Sequence, residues 1–155
     1  MRLTLTIIIA ILLQSLNIFG QTRTVTGKVI GEDLEVMPYV IIKNSDTVLL
    51  GTTDLDGKFV IEIPVTTKTL RFGWYGYEWK TINLPAECNH LDIILMEFVI
   101  YDYISLRKVN RLRMKRFEKL PELHSTAYKK GIFKSQLPCY EQTFEPFKPI
   151  ARKVN

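Results

Sequence analysis

Histidine is scarce in this chain, and that scarcity excludes one large class of metalloenzyme. A catalytic zinc ion needs about three protein ligands and a nearby base, but the only histidines are His90 and His124, and neither begins a His-x-x-Glu sequence. We therefore expect neither zinc peptidase activity nor a bound metal. The chain also lacks internal repeats, low-complexity tracts and any motif that specifies a reaction. The sequence thus favours a non-catalytic protein without a cofactor.

Long apolar runs are missing except at the N-terminus. There, Arg2 precedes an apolar run of about eleven residues, Leu3 to Leu13, and a polar stretch leads to Gly20. A membrane-spanning helix needs about twenty residues, so this order is typical of a secretory signal peptide over residues 1–20. We expect cleavage after Gly20, export to the periplasm or cell envelope, and no transmembrane span afterwards. The alternative is an uncleaved signal that stays as an anchor.

Cysteine is as rare as histidine, with Cys88 and Cys139 the only two. Neither directly follows the N-terminal apolar run, which argues against a lipid-modified N-terminus. In an oxidising compartment thiols tend to pair, and a disulfide between Cys88 and Cys139 would tie the end of the chain to its middle. The alternative is that each cysteine serves as a small buried apolar residue.

The net charge of +5 hides an asymmetry between two parts of the chain. Residues 22–98 carry 7 Lys and Arg against 11 Asp and Glu, whereas residues 99–155 carry 13 against 5. The first part is therefore acidic and the second is basic. Such a basic segment either binds phosphate-rich partners or lies on its own acidic domain.

Short runs of β-branched and aromatic residues recur at near-regular intervals in the acidic part, with no helical pattern between them. This spacing favours an all-β sandwich over an α/β fold. We therefore predict a single β-sandwich domain over residues 22–98. Its seven expected strands are Thr22–Ile30, Tyr39–Lys43, Thr47–Thr53, Lys58–Ile63, Leu70–Tyr75, Tyr77–Leu84 and Leu91–Phe98.

The segment from Gly51 to Phe59 has the composition of a tight turn. Asp54 or Asp56 can accept hydrogen bonds from nearby backbone amides, and Gly57 can take the positive φ that a bulged turn needs. Because strand-forming residues stand on both sides, the segment predicts a β-hairpin. A calcium site is the alternative, but two carboxylates fall short of the about six to eight oxygens that calcium takes.

Short motifs along residues 22–98 occur in the order of one known family. They are Val25 to Val29, Pro38 before a β run, Gly51 with the Asp54 to Phe59 turn, and Leu70, Phe72, Gly76, Tyr77 and Glu78. With these motifs the segment resembles the carboxypeptidase-like regulatory domain. The resemblance implies a transthyretin-like, seven-stranded Greek-key sandwich that serves bacterial envelope proteins as a binding or structural accessory module without catalytic residues.

The basic part, residues 99–155, predicts a helical and extended appendage. Apolar residues at helical spacing favour a helix from Asp102 to Leu120. Pro121 begins a second short helix that ends at Gly131, and the prolines beyond Lys134 predict an extended end segment. Four basic side chains lie largely opposite the apolar stripe of the first helix: Arg107, Lys108, Arg111 and Lys115.

These four basic residues define the basic face of the first helix, and two roles remain open for it. The face is either the solvated side of a helix that packs against the acidic sandwich, or it contacts an envelope protein or an anionic lipid surface. Nucleic acid would also suit such a face, but an exported protein rarely meets it, so we expect no nucleic-acid binding.

Aromatic residues are densest between Trp74 and Trp79, where Tyr75 and Tyr77 also lie. Alternation along a strand sends Trp74 toward the core, so packing is the favoured role of this cluster. An exposed set of rings could instead stack on a sugar or a peptide. That binding alternative stays open for Tyr75.

One enzymatic alternative stands beside the accessory-module hypothesis. Cys88 and His90 share a strand face at i and i+2, so with Cys139 they could form a nucleophile and base at the junction of sandwich and tail. Such a pair needs a third group to orient the base, and the sequence suggests none. The non-catalytic hypothesis is therefore favoured.

Overall fold

The computed structural model describes residues 20–149, and β-strands dominate residues 22–95. The predicted signal peptide lies outside the described residues apart from Gly20. All seven predicted strands have a counterpart, and an eighth lies in the end segment. The strands are β1 (Thr22–Gly31), β2 (Ile41–Asn44), β3 (Leu49–Thr52), β4 (Lys58–Pro64), β5 (Thr69–Gly73), β6 (Lys80–Asn83), β7 (His90–Leu95) and β8 (Glu141–Gln142).

The strands form two sheets, with the orders β4-β1-β7 and β3-β2-β5-β6-β8. β1 pairs antiparallel with β4 and parallel with β7, while every pairing in the larger sheet is antiparallel. Two sheets around a common core agree with the predicted sandwich. The strand count is eight because the end segment adds β8 to β6, where Ile82 pairs with Gln142.

The main core lies between the two sheets and follows the alternation of the strands. In β4, Phe59, Ile61 and Ile63 are buried while the residues between them are exposed, as expected for a strand with one face on a core. β1 contributes Val25 and Val29 to the same core. Each fully buried aliphatic or aromatic side chain stabilises the fold by about 1.5–3 kcal/mol.

A second core lies on the outer face of the smaller sheet. Ile30 of β1 and Ile94 of β7 are paired neighbours in that sheet, and both are buried together with Leu120, Ala127 and Phe133 from the tail. β7 is consequently buried on both faces. The tail therefore completes the domain, because it covers an apolar sheet face that would otherwise meet water.

Two helices form this cover, α1 (Leu106–Phe117) and α2 (Leu120–Lys129). The prediction of one helix from Asp102 to Leu120 was too long at both ends. Ser105 caps α1 by accepting a hydrogen bond from the Lys108 amide, and α1 ends at Phe117. α2 begins next to Pro121, as predicted. Gly131 follows its end with a φ of +71°, the left-handed conformation that commonly ends a helix.

The turn at residues 54–57 forms as its composition predicts, but the hairpin prediction is wrong. The carboxylate of Asp54 accepts hydrogen bonds from the amides of Asp56 and Lys58, at 2.9 and 2.8 Å. Gly57 has a φ of +72°. However, β3 and β4 belong to different sheets, so this turn carries the chain from one sheet to the other and does not join two paired strands.

Candidate functional site

The junction between the sandwich and the tail holds most of the buried polar side chains, and Arg113 of α1 is the first of them. Its Nε and Nη2 donate to the two carboxylate oxygens of Glu78, at 2.7 and 2.6 Å. Its Nη1 donates to the Glu145 carbonyl oxygen at 3.0 Å. Such a two-bond arrangement is among the stronger ion pairs in proteins. It fixes the orientation of α1 on the sandwich.

A second arginine of α1 reaches another acid of the sandwich. The guanidinium of Arg116 forms an ion pair with Glu32, in the loop after β1, and donates to the Glu97 carbonyl oxygen at 3.1 Å. The sequence-based prediction missed both arginines because it considered only the basic residues opposite the apolar stripe. The signal was present, since Arg113 and Arg116 follow Val109 at the spacing of the buried stripe.

Asp92 of β7 is the buried acid on which the tail is anchored. Its Oδ2 accepts hydrogen bonds from the Lys134 amide, the Ser135 amide and the Ser135 hydroxyl, at 3.0, 3.1 and 2.9 Å. Its backbone carbonyl accepts from the Tyr140 hydroxyl at 2.9 Å. An acid inside the apolar run of β7 was the sequence signal for this role, because a buried charge needs several partners.

The structure joins Cys88 and Cys139 by a disulfide, with their Cα atoms 5.8 Å apart. His90 lies two residues after Cys88, but its ring contacts other groups. Nε2 is 3.1 Å from Asp92 Oδ1, and Nδ1 is 3.1 Å from Thr26 Oγ1. The three residues of the enzymatic alternative are thus neighbours, but in the disulfide form neither sulfur is a thiolate nucleophile.

The second histidine, His124, is buried in α2. Its Nδ1 lies 3.1 Å from the Gln136 carbonyl oxygen, so Nδ1 carries the proton and Nε2 is left as an acceptor. Burial lowers the pKa of His124, which favours the neutral ring. Within residues 20–149 no three His, Cys, Asp or Glu side chains are grouped as metal ligands.

The aromatic cluster divides between packing and exposure. Trp74 and Tyr77 are partly buried against the main core, as the alternation predicted for Trp74. Trp79 is half-exposed and two cations lie close to its ring, with Lys43 Nζ 5.3 Å and the Arg71 guanidinium 5.4 Å from the ring centroid. Tyr75 is 94% exposed. Its ring is therefore accessible, although no neighbouring aromatic ring completes a stacking platform with it among residues 20–149.

The basic face of α1 points to solvent. All four of its residues, Arg107, Lys108, Arg111 and Lys115, are exposed. None of them forms an ion pair with another residue of the range 20–149. Beside this face, the side chains of Met114, Phe144 and Pro146 line a shallow groove between α1 and the end segment.

Sequence reasoning did not single out Lys80 of β6, which lies beneath the end segment. Its Nζ donates to the backbone carbonyl of Ile94 at 3.0 Å, bridging the two sheets, and lies 5.8 Å from the ring centroid of Tyr140. Desolvation by burial lowers the pKa of Lys80 to about 7. Two cavities meet at this side chain. The available sequence signal was the position of Lys80 two residues before Ile82 in β6. Residues i and i+2 of a strand share a face, and Ile82 faces the core.

Comparison with known proteins found no family model that matches the sequence and no matching curated protein. The resemblance of residues 22–98 to the carboxypeptidase-like regulatory domain therefore stays a prediction. Among residues 20–149, no helix has the length and apolar character needed to cross a membrane.

Proposed function

We propose that this protein is an exported, transthyretin-like accessory module of the bacterial cell envelope, which binds an acidic protein partner through the basic face of α1. The proposal assigns no reaction to the chain. The proposal rests on a difference between two sets of basic residues in α1. Arg113 and Arg116 bind the sandwich, whereas the four residues of the basic face are exposed and form no ion pair within residues 20–149.

The groove beside the basic face favours a protein partner over a lipid surface. A helix that lies in a membrane interface inserts its apolar side among the lipids. In α1 that side is occupied, because Val109 is buried against the rest of the protein and Phe117 packs on the second core. Met114 and Phe144 instead form an apolar floor under a rim with three basic residues, Arg107, Arg111 and Lys115, and one acidic residue, Glu118. The net positive charge of this rim suits an acidic segment that also carries apolar side chains.

Pull-down from envelope extracts with the mature protein tests this proposal. The test variant reverses the charge of all four basic-face residues: Arg107→Glu, Lys108→Glu, Arg111→Glu and Lys115→Glu. The control variant makes the same change in charge elsewhere on the exposed surface, with Lys58→Glu, Lys68→Glu, Lys129→Glu and Lys130→Glu. We expect a partner that is retained by the wild type and the control and lost by the test variant.

Salt and vesicles separate the remaining outcomes. Because screening at 0.15 M salt acts over about 8 Å, binding through the basic face should weaken as salt rises. Flotation with anionic and neutral vesicles tests the lipid alternative directly. If the wild type binds anionic vesicles and the test variant does not, the partner of the basic face is a lipid surface and not a protein. Equal retention of the partner by both variants would refute the role of the basic face.

The enzymatic alternative around Cys88, His90 and Cys139 has less support. The disulfide occupies both sulfur atoms, so neither is free to act as a nucleophile, even though Asp92 contacts the His90 ring as an orienting group would. Hydrolysis of ester substrates that persists in the oxidised wild type and disappears in His90→Ala would favour this alternative over the accessory module.

A further inference from the structure

A cavity of about 440 Å³ lies on the outer face of the smaller sheet, beside the area that the tail covers. The strands β1 and β7 line it with Thr26, Lys28 and His90, and the segment after α2 lines it with Ile132 and Lys134. Ligand sites in proteins span about 300–1,000 Å³, so this cavity can hold a small molecule. The basic face of α1 is not part of the cavity, and the proposed function does not use it.

Lys28 occupies the middle of a row of side chains that crosses this sheet. Its neighbours in the row are Lys58 of β4 on one side and Asp92 of β7 on the other. Two lysines in directly opposite positions repel each other, and Lys58 forms an ion pair with Asp56. Asp92 would be the counter-ion for Lys28 by position, but the two form no ion pair. Lys28 is therefore left without a carboxylate partner among residues 20–149.

The tail explains why Asp92 does not pair with Lys28. Its Oδ1 is 3.1 Å from His90 Nε2, and its Oδ2 accepts three hydrogen bonds from Lys134 and Ser135. The Asp92 side chain is only 1% exposed. It also borders the cavity, but these donors surround both of its oxygens. An anion in the cavity would thus meet lysine ammonium groups before it meets this carboxylate.

The same contacts bring a second cation to the cavity. Because the Lys134 amide is bound to Asp92, the Lys134 side chain begins beside the row that contains Lys28. It lines the cavity and forms no ion pair within the described part of the chain. The Thr26 hydroxyl lies 3.1 Å from His90 Nδ1, and it can turn its proton to the ring or to a ligand. Two ammonium groups without a counter-ion and one hydroxyl therefore border the same space.

We propose that this cavity binds a small phosphate monoester, with Lys28 and Lys134 donating to the phosphate oxygens. Such a group carries about −1.5 to −2 charges at pH 7 and three acceptor oxygens, so it can neutralise both lysines. Lysine binds phosphate as a point charge, whereas arginine matches the planar carboxylate best, and no arginine of residues 20–149 lines the cavity. Val60 and Ile132 add apolar lining. The ligand therefore carries a small organic body beside its phosphate.

Calorimetric titration of the mature protein with phenyl phosphate at pH 7 and low salt tests the proposal. Benzoate, a carboxylate with the same ring, should bind at least about tenfold more weakly. Lys28→Gln and Lys134→Gln should each weaken phenyl phosphate binding about tenfold or more, because each change removes a charge-assisted hydrogen bond. The matched controls Lys68→Gln and Lys108→Gln remove exposed lysines outside the cavity. They should leave the affinity within about twofold of the wild type.

Thermal unfolding shows whether the variants lose binding or folding. Without phosphate, Lys28→Gln should melt at or above the temperature of the wild type, because it removes the repulsion from Lys58. A ligand that binds only the folded state raises the melting temperature. Phenyl phosphate should therefore raise it for the wild type and for Lys108→Gln, but not for Lys28→Gln or Lys134→Gln.

Flotation with vesicles that contain phosphatidic acid separates two sources of the phosphate group. Binding of phenyl phosphate alone assigns the cavity to a soluble ester, whereas vesicle binding that depends on Lys28 and Lys134 assigns it to a lipid headgroup. Equal weakening by the control changes, equal affinity for benzoate, or no binding of either phosphate source would overturn the proposal.

Discussion

The guanidinium carbon of Arg113 lies 3.5 Å from the centroid of the Phe147 ring, in the stacked position of a cation–π contact. The backbone of Phe147 also contacts α1. Its carbonyl oxygen accepts a hydrogen bond from Asn110 Nδ2 and its amide donates one to Asn110 Oδ1, both at 2.9 Å. Arg113 therefore holds three segments together: α1, the Glu78 segment of the sandwich, and the end of the tail.

Loss of this buried arginine should destabilise the protein strongly. The side chains of Arg113 and Glu78 are only 5% and 12% exposed, so Arg113→Met leaves a buried carboxylate without its partner, at a cost of about 3–5 kcal/mol. Urea unfolding measures the change. Arg111→Met on the exposed side of α1 is the matched control, and it should change the free energy of unfolding by about 0.5 kcal/mol or less. Equal effects of the two changes would contradict the assigned role.

Gly57 and Gly76 both have a positive φ, so a comparison of substitutions at the two positions distinguishes backbone strain from a steric clash. A Cβ atom at Gly57 would lie 2.6 Å from the Val29 carbonyl oxygen, whereas one at Gly76 would have no heavy atom within 4 Å. Gly57→Val should cost about 1–3 kcal/mol or more, and Gly57→Ala should cost more than Gly76→Ala. Thermal unfolding checks the order. A melting temperature of Gly57→Ala at or above that of Gly76→Ala would show that the Val29 contact does not matter.

The disulfide should stabilise the folded state and hold the end segment. It links residues 51 positions apart, which corresponds to about 4 kcal/mol in the chain-entropy account. Cys139→Ser should lower the free energy of unfolding by an amount of that order and expose residues 134–149 to proteases. Because Cys139 is exposed, the change itself disturbs little packing. Mass spectrometry of unreduced protein, alkylated at lysis, checks that the bridge is present; two alkylated thiols in exported protein would contradict it.

Stability should rise with pH between about 7 and 10 because of Lys80. Its pKa in the folded protein is lowered to about 7, whereas the unfolded chain keeps the ordinary value of about 10.4. Within that window the unfolded state binds more protons, so raising the pH favours the folded state. Lys80→Met should flatten this part of the profile, while Lys68→Met at an exposed site should not. Midpoints of urea unfolding measured at pH 7, 8 and 9 test this prediction. If the midpoint changes with pH to the same extent in Lys80→Met and Lys68→Met, the lowered pKa of Lys80 is refuted.

The local elements of this protein could be predicted because each depends on neighbouring residues. Alternation in Lys58–Pro64 indicates which residues of β4 are buried, and Asp54 with Gly57 predicts a tight turn whatever lies around it. Proline and glycine at 121 and 131 likewise mark the second helix. These signals act through backbone conformation and short-range hydrogen bonds, which the chain carries with it.

The remaining features depend on which distant segments meet, and the tertiary structure alone decided them. The turn at residues 54–57 connects two sheets because β4 pairs with β1 and β3 pairs with β2, a choice made by the whole core. Arg113 can be buried because the distant Glu78 accepts its hydrogen bonds, and Asp92 can be buried because the distant Ser135 donates to it. Lys80 acquires a low pKa because the end segment covers it. The local pattern marks these positions as buried, but the distant partner that satisfies each side chain is a property of the folded contacts and is not specified by neighbouring residues.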